Sequence, residues 1–83
     1  MRIKLKLFVS LTPYLPASAK GNEVEIEIGA DESPEALLDR LKVPRKQAHL
    51  WLLNGHYIDP EDRMKPLMKE DDTLAIWPPV AGG

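Results

Sequence analysis

Residues 2–9 alternate between two kinds of side chain. Ile3, Leu5, Leu7 and Val9 fall on one parity, and Arg2, Lys4, Lys6 and Phe8 on the other. A period of two is a strand with one buried face. Residues 22–28 repeat the pattern with the opposite charge, setting Val24, Ile26 and Ile28 against Glu23, Glu25 and Glu27. Bases on one strand and acids on the next predict an antiparallel pair, because facing opposite charges contribute roughly 0.2–1 kcal/mol each.

The connection from Ser10 to Gly21 is long for a hairpin, contains Pro13 and Pro16 and ends in the turn signal Gly21-Asn22, so a mobile loop is expected there. Ser33-Pro34-Glu35 is a helix start, with a hydroxyl for an orphan amide, proline at the first helical position and an acid near the positive end of the dipole. Leu37, Leu38 and Leu41 supply the buried stripe, and Pro44 forbids continuation, which predicts a helix of about nine residues held by packing. His49 to Leu53 is a third strand, Asn54-Gly55 the favoured two-residue hairpin turn, and His56-Tyr57-Ile58 a brief return. Asp59-Pro60-Glu61-Asp62 breaks the pattern. Met64 and Leu67 are expected to cover the core from a loop, and Lys69 to Asp72 to form a solvated turn. Thr73 to Trp77 is the last strand. The order predicts an α+β fold, a mixed sheet of four to five strands with one main helix across one face. Residues 1–77 form one domain, and 78–83 a flexible tail.

Composition narrows the function. The 83 residues carry a net charge of -2 with acids and bases interspersed, which argues against a nucleic-acid groove. There is no cysteine, hence no disulfide, thiolate site or thiol nucleophile, and a cytoplasmic address is expected. No apolar run approaches the ~20 residues that cross a bilayer, and the charged N-terminus is not a signal peptide. His49 and His56 lack the partners of a metal site. No Ser-His-Asp set, paired carboxylates or phosphate-binding glycine loop occurs. The chain is expected to be a substrate of enzymes and not an enzyme.

The C-terminus points the same way. Pro78-Pro79-Val80-Ala81-Gly82-Gly83 follows the last strand directly. Prolines lack the amide donor, end sheet pairing and stiffen the exit, while glycines thread a narrow slot. Six residues reach at most about 20 Å. A frayed terminus is the plain alternative. Three stretches together resemble the MoaD/ThiS group of ubiquitin-like sulfur carriers, closer to MoaD. They are Ile3-Lys4-Leu5-Lys6-Leu7-Phe8, Trp51-Leu52-Leu53-Asn54-Gly55 and Leu74 through Gly83.

The resemblance implies a ubiquitin-like β-grasp fold with the first and last strands parallel at the centre. It implies that an adenylyltransferase related to ubiquitin activators joins the Gly83 carboxylate to AMP from ATP, with Gly82 beside it. Sulfur from a persulfide donor then gives a Gly83 thiocarboxylate, donated to molybdopterin synthase large subunit or a similar acceptor; no cofactor is bound. Thiamine-type or other sulfur pathways, and a protein modifier joined to lysines through Gly83, remain open. Family members often follow the first strand with Leu-Arg-Glu, where this chain has Leu11-Thr12-Pro13, so a diverged pathway stays open too. Parity adds a surface: Phe8 and Trp77 should meet on the exposed sheet face where the tail leaves. With Pro78, Pro79, Val80 and Ala81 they form the expected partner-binding set. The alternative tucks both rings under the Ser10–Gly21 loop.

Overall fold

The computed structural model describes residues 1–79. Among them, five strands form one mixed sheet: β1 Arg2–Leu7, β2 Glu23–Glu27, β3 Leu50–Leu53, β4 His56–Tyr57 and β5 Thr73–Trp77. Their spatial order is β2-β1-β5-β3-β4. β1 and β5 run parallel at the centre, Leu5 opposite Leu74 and Leu7 opposite Ile76. The other neighbours are antiparallel. The helix α1, Pro34–Arg40, packs Leu37 and Leu38 into the same core as Ile3, Leu5, Leu7, Trp51, Leu74 and Ile76. This is the expected β-grasp. Every one of those core side chains is at most 2% exposed, so Ile3, Leu5 and Leu7 of the inward parity of β1 are sealed, together with Leu74 and Ile76 on β5.

The charged pair is also as expected. Arg2, Lys4 and Lys6 stand opposite Glu27, Glu25 and Glu23. The closest contacts are 3.6–3.9 Å, from Lys4 to Glu23 and from Arg2 to Glu25 and Glu27. Arg2, Glu25 and Glu27 are exposed and Lys4, Lys6 and Glu23 half-buried, so the ladder selects register more than it stabilises.

Several local expectations are corrected. β1 ends at Leu7; Val9 is 76% exposed and not in the core. The chain turns instead into a 3-10 helix over Val9–Tyr14 that drives Leu11 into the core, so the Ser10–Gly21 connection is partly regular and packed, not an open loop. α1 spans seven residues and stops before Pro44. Lys42 adopts φ 64, the Lys42 amide donates to the Asp39 carbonyl at 3.0 Å and the Val43 amide to Leu38 at 2.9 Å. That is a Schellman close, with buried Val43 packing back on the helix. Its start matches expectation, the Ser33 hydroxyl accepting from the Ala36 amide at 3.0 Å. Met64 is exposed; Met68, 3% exposed, fills the core instead. Lys69, Glu70 and Asp71 are exposed in the expected turn, which is held by Asp72 accepting from the Lys69 amide and from Asn54 and by Glu70 accepting from the Arg2 amide. Asn54 and Gly55 have φ of 51 and 83, as the hairpin turn requires. Among the described residues no helix is long and apolar enough to cross a membrane.

Candidate functional site

β5 delivers the chain to the end of the sheet where Phe8 also emerges. The Phe8 amide donates to the Ile76 carbonyl at 3.1 Å, extending the β1–β5 ladder by one bond. On the other side Leu50 stands opposite Trp77, and the His49 amide donates to the Trp77 carbonyl at 2.9 Å. Both neighbours thus hold β5 to its last residue. Pro78 follows with no amide to offer, and pairing ends there. Pro78 is buried and Pro79 exposed, so of the two prolines Pro79 is the one presented and Pro78 anchors the exit.

Phe8 and Trp77 meet as the parity reading expects, with ring centroids 4.1 Å apart and planes within 5°. Both are half-buried, covering each other and leaving part of each ring to solvent. The same face carries Lys6, Leu50 and Leu52, by their register with Ala75 and Trp77. Ala75, on the same parity of β5 as Trp77, is only 8% exposed. Its methyl lies between the longer side chains of Lys6 and Leu52 in register. Val80, Ala81, Gly82 and Gly83, the remainder of the expected site, lie outside the described residues.

Sequence reasoning missed Val9. Leu7, Val9 and Leu11 keep the same parity, so the alternation conceals the turn between them. The signal lay in Ser10, Thr12 and Pro13, turn-forming residues that would not extend a central strand. Val9 follows Phe8 directly in the chain, at the exit end. Lys6, opposite Ala75, and Lys20, bridged to Glu23, lie toward the same end, and neither is in a salt bridge among the described residues.

Other candidates are structural. Trp51 is 2% exposed, donates from Nε1 to the Ala48 carbonyl at 2.9 Å and stacks under the Arg63 guanidinium at 4.8 Å. His49 and His56 are exposed at different ends of β3 and β4, and the described residues contain no group of three or more potential metal ligands. A cleft of about 360 Å³ beside the Asn54-Gly55 turn is lined by His56, Tyr57, Asp62, Lys69 and Asp72. It opens at the end of β5 opposite the exit, since the Asn54 amide bonds Thr73, the first residue of that strand.

A model of the ThiS family matches residues 15–83. The fold is similar to that of small archaeal modifier protein 1 from Haloferax volcanii, at 22% identity and a TM-score of 0.66, covering 100% of each chain. It is also similar to the protein of the same name from Methanosarcina acetivorans, at 22% identity and TM-score 0.63, covering 99% of this chain and 96% of that one. A third likeness is to a chain from the complex of subunits 1 and 2 of molybdopterin-converting factor from Helicobacter pylori. There the identity is 20% and the TM-score 0.59, with 100% of each chain covered. No curated protein matches the chain.

Proposed function

This chain belongs to the ThiS family of small ubiquitin-like carriers and modifiers, and from that premise we propose that it carries sulfur on Gly83. The observation that supports this reading most is the family match itself, because it runs through Gly82 and Gly83. Such proteins are handled by enzymes and are not enzymes. A free carboxylate is a poor electrophile at neutral pH, so a leaving group must be installed first. The Gly83 carboxylate attacks the α-phosphorus of ATP on an adenylyltransferase of the ubiquitin-activator class, and pyrophosphate leaves. A persulfide sulfur then attacks the acyl carbon and AMP leaves. A thiol cleaves the resulting acyl disulfide by exchange, freeing the thiocarboxylate and forming a new disulfide with the donor.

Phe8, Trp77 and Pro79 form the docking surface at the root of the tail, and Val80 and Ala81 give small contacts that a narrow slot admits. The acceptor is an enzyme of molybdopterin synthesis, related to the large subunit of molybdopterin synthase, and the work is cytoplasmic. Likeness to a molybdopterin-converting factor chain and the Pro78-Pro79 ending favour that acceptor over a thiamine-type pathway. Likeness to two small archaeal modifier proteins favours a second reading, in which the same adenylate passes to lysines of other proteins.

Incubation with the cognate adenylyltransferase, ATP and a persulfide donor, followed by intact-mass measurement, tests the carrier. The mass should rise by the difference between sulfur and oxygen, and removal of Gly82 and Gly83 should abolish the gain. No gain sinks the carrier reading. Peptides in which Gly83 is joined to a lysine side chain would establish the modifier.

A further inference from the structure

Val9 is held in a conformation that its own side chain opposes. Its φ is 53, in the left-handed region, where a β-branched residue is a true outlier. Its side chain is 76% exposed and thus recovers little packing within the domain. A lone exposed valine needs no explanation. One that also strains the backbone brings the isolated fold no compensating contact, and any αL-tolerant polar residue would suit the turn better.

The surroundings show why the backbone cannot relax. Phe8 is fixed on the outer face by its ring stacking on Trp77 and its amide bond to Ile76. Leu11, three residues on, is fully buried, and its amide donates to the Phe8 carbonyl at 3.0 Å. The chain must cross from the outer face into the core within that turn. The Val9 carbonyl is held as well, accepting from the Thr12 hydroxyl at 3.1 Å. The positive φ is therefore imposed from both sides, the circumstance in which strain persists and marks function.

We propose that Val9 is an affinity-determining contact of this protein with the enzyme that adenylates Gly83, a valine held out at the root of the tail to enter an apolar recess on that enzyme. The inference rests on the carrier reading above. Chain length selects the occupant. Gly83 is four residues past Pro79, a span of at most ~14 Å. An enzyme that closes on Gly83 must therefore lie against the exit end, where exposed Val9 follows Phe8 and Phe8 stacks on Trp77. Adenylation is the first event at Gly83 and sees the unmodified chain, so the contact is read in its KM.

The two properties of Val9 respond to substitution in opposite directions, which makes the test decisive. Val9→Asn keeps a residue that tolerates the left-handed region without glycine's added freedom in the unfolded chain, and it removes the apolar contact. It should raise Tm by at least about 4 °C while raising the KM for ATP–pyrophosphate exchange by about 10-fold, with kcat unchanged. Val9→Ile should keep the wild-type KM. If Val9→Asn has a raised Tm and a wild-type KM, Val9 is strained without purpose and the inference fails. If it lowers Tm, the strain is absent and the inference fails also. If the wild type itself supports no exchange with its adenylyltransferase, the carrier reading fails first, and the inference falls with it.

Discussion

Lys42 closes α1 from the left-handed region, with φ 64 and both Schellman bonds in place. A side chain there meets the following carbonyl, which is why glycine predominates at this position. Lys42 is exposed and in no salt bridge among the described residues, so its side chain has little to lose. Lys42→Gly should therefore stabilise the domain by about 0.5–1 kcal/mol, seen as a higher urea midpoint with unchanged slope. A lower midpoint would mean that the lysine stem packs on the helix end. Trp77→Ala acts differently. It removes one member of the Phe8–Trp77 stack, worth about 0.5–1.5 kcal/mol beyond its area, while the core on the other face of β5 stays whole. The variant should fold, with a native far-UV spectrum, and should be adenylated with a raised KM; unfolding would place Trp77 in the scaffold. These residues mark how far single positions are legible. Asn54, Gly55 and Asp71 are of types that tolerate positive φ, whereas Val9 and Lys42 adopt it because their neighbours are fixed. Met64 and Met68 have the same chemistry, and only the path of the chain between Arg63 and Asp72 decides which one is inside.

β2 is an edge strand, and its open edge is closed from both ends. The bonds from Leu7 to the Asn22 carbonyl and from the Ile28 amide to Met1 set the ladder, so Glu23, Glu25 and Glu27 turn their backbone groups outward. Lys20 exchanges both backbone bonds with Glu23 at 3.0 and 3.2 Å. Arg40 donates from Nη2 to the Glu27 carbonyl at 2.9 Å. That leaves the backbone of Glu25 and the amide of Glu27 for a foreign strand, a short stretch for edge-to-edge pairing. Arg40 is held in place by Glu32, through Nε at 2.9 Å and Nη2 at 3.2 Å. Partial burial pushes the Glu32 carboxyl up, but the Arg40 hydrogen bonds, the Gly29 amide and the Arg40 charge outweigh it and hold the pKa below 4.5. A carboxyl depressed in the folded state stabilises above its unfolded pKa, and that contribution is lost as pH falls through the folded value. Glu32→Gln should cost up to about 1 kcal/mol at pH 7, and the gap to wild type should close below the lowered pKa. Urea titrations at pH 7 and in strong acid check this; a gap that persists in acid would assign the cost to shape and not to charge. At this scale the strands and α1 were legible, because alternation and the Ser33-Pro34 cap are local. The 3-10 helix at Val9–Tyr14 was not, because Leu7, Val9 and Leu11 continue the alternation straight through it.

The two central strands come from the two ends of the sequence, and this decides how the molecule holds its tail. β1 and β5 are separated by most of the chain, yet Leu5 faces Leu74 and Leu7 faces Ile76 in parallel register, all four fully buried. Neither strand keeps its place without the other, and α1 covers both through Leu37 and Leu38. Parity shows which faces of these strands are apolar but not which strand lies between which, so the parallel centre was legible only through the family resemblance. The root of the tail is therefore built into the most protected part of the sheet, while the edge strand β4 is two exposed residues. Domains of 83 residues are stable by about 4–12 kcal/mol. Amide exchange should follow that arrangement: Leu5, Leu7, Leu74 and Ile76 should exchange with one common free energy, that of global unfolding, and Tyr57 by local opening far below it. Leu5→Ala should lower that free energy by about 2–5 kcal/mol and should lower the protection of Ile76 by the same amount, although the substitution lies at the other end of the chain. Protection at Ile76 that survives Leu5→Ala would mean that β5 folds with β3 alone. The tail would then hang from a separable hairpin, and whatever docks at Phe8 would have to recruit β1 before reaching Gly83. Equal losses mean that the surface at Phe8, Val9 and Trp77 keeps its geometry for as long as the domain is folded at all.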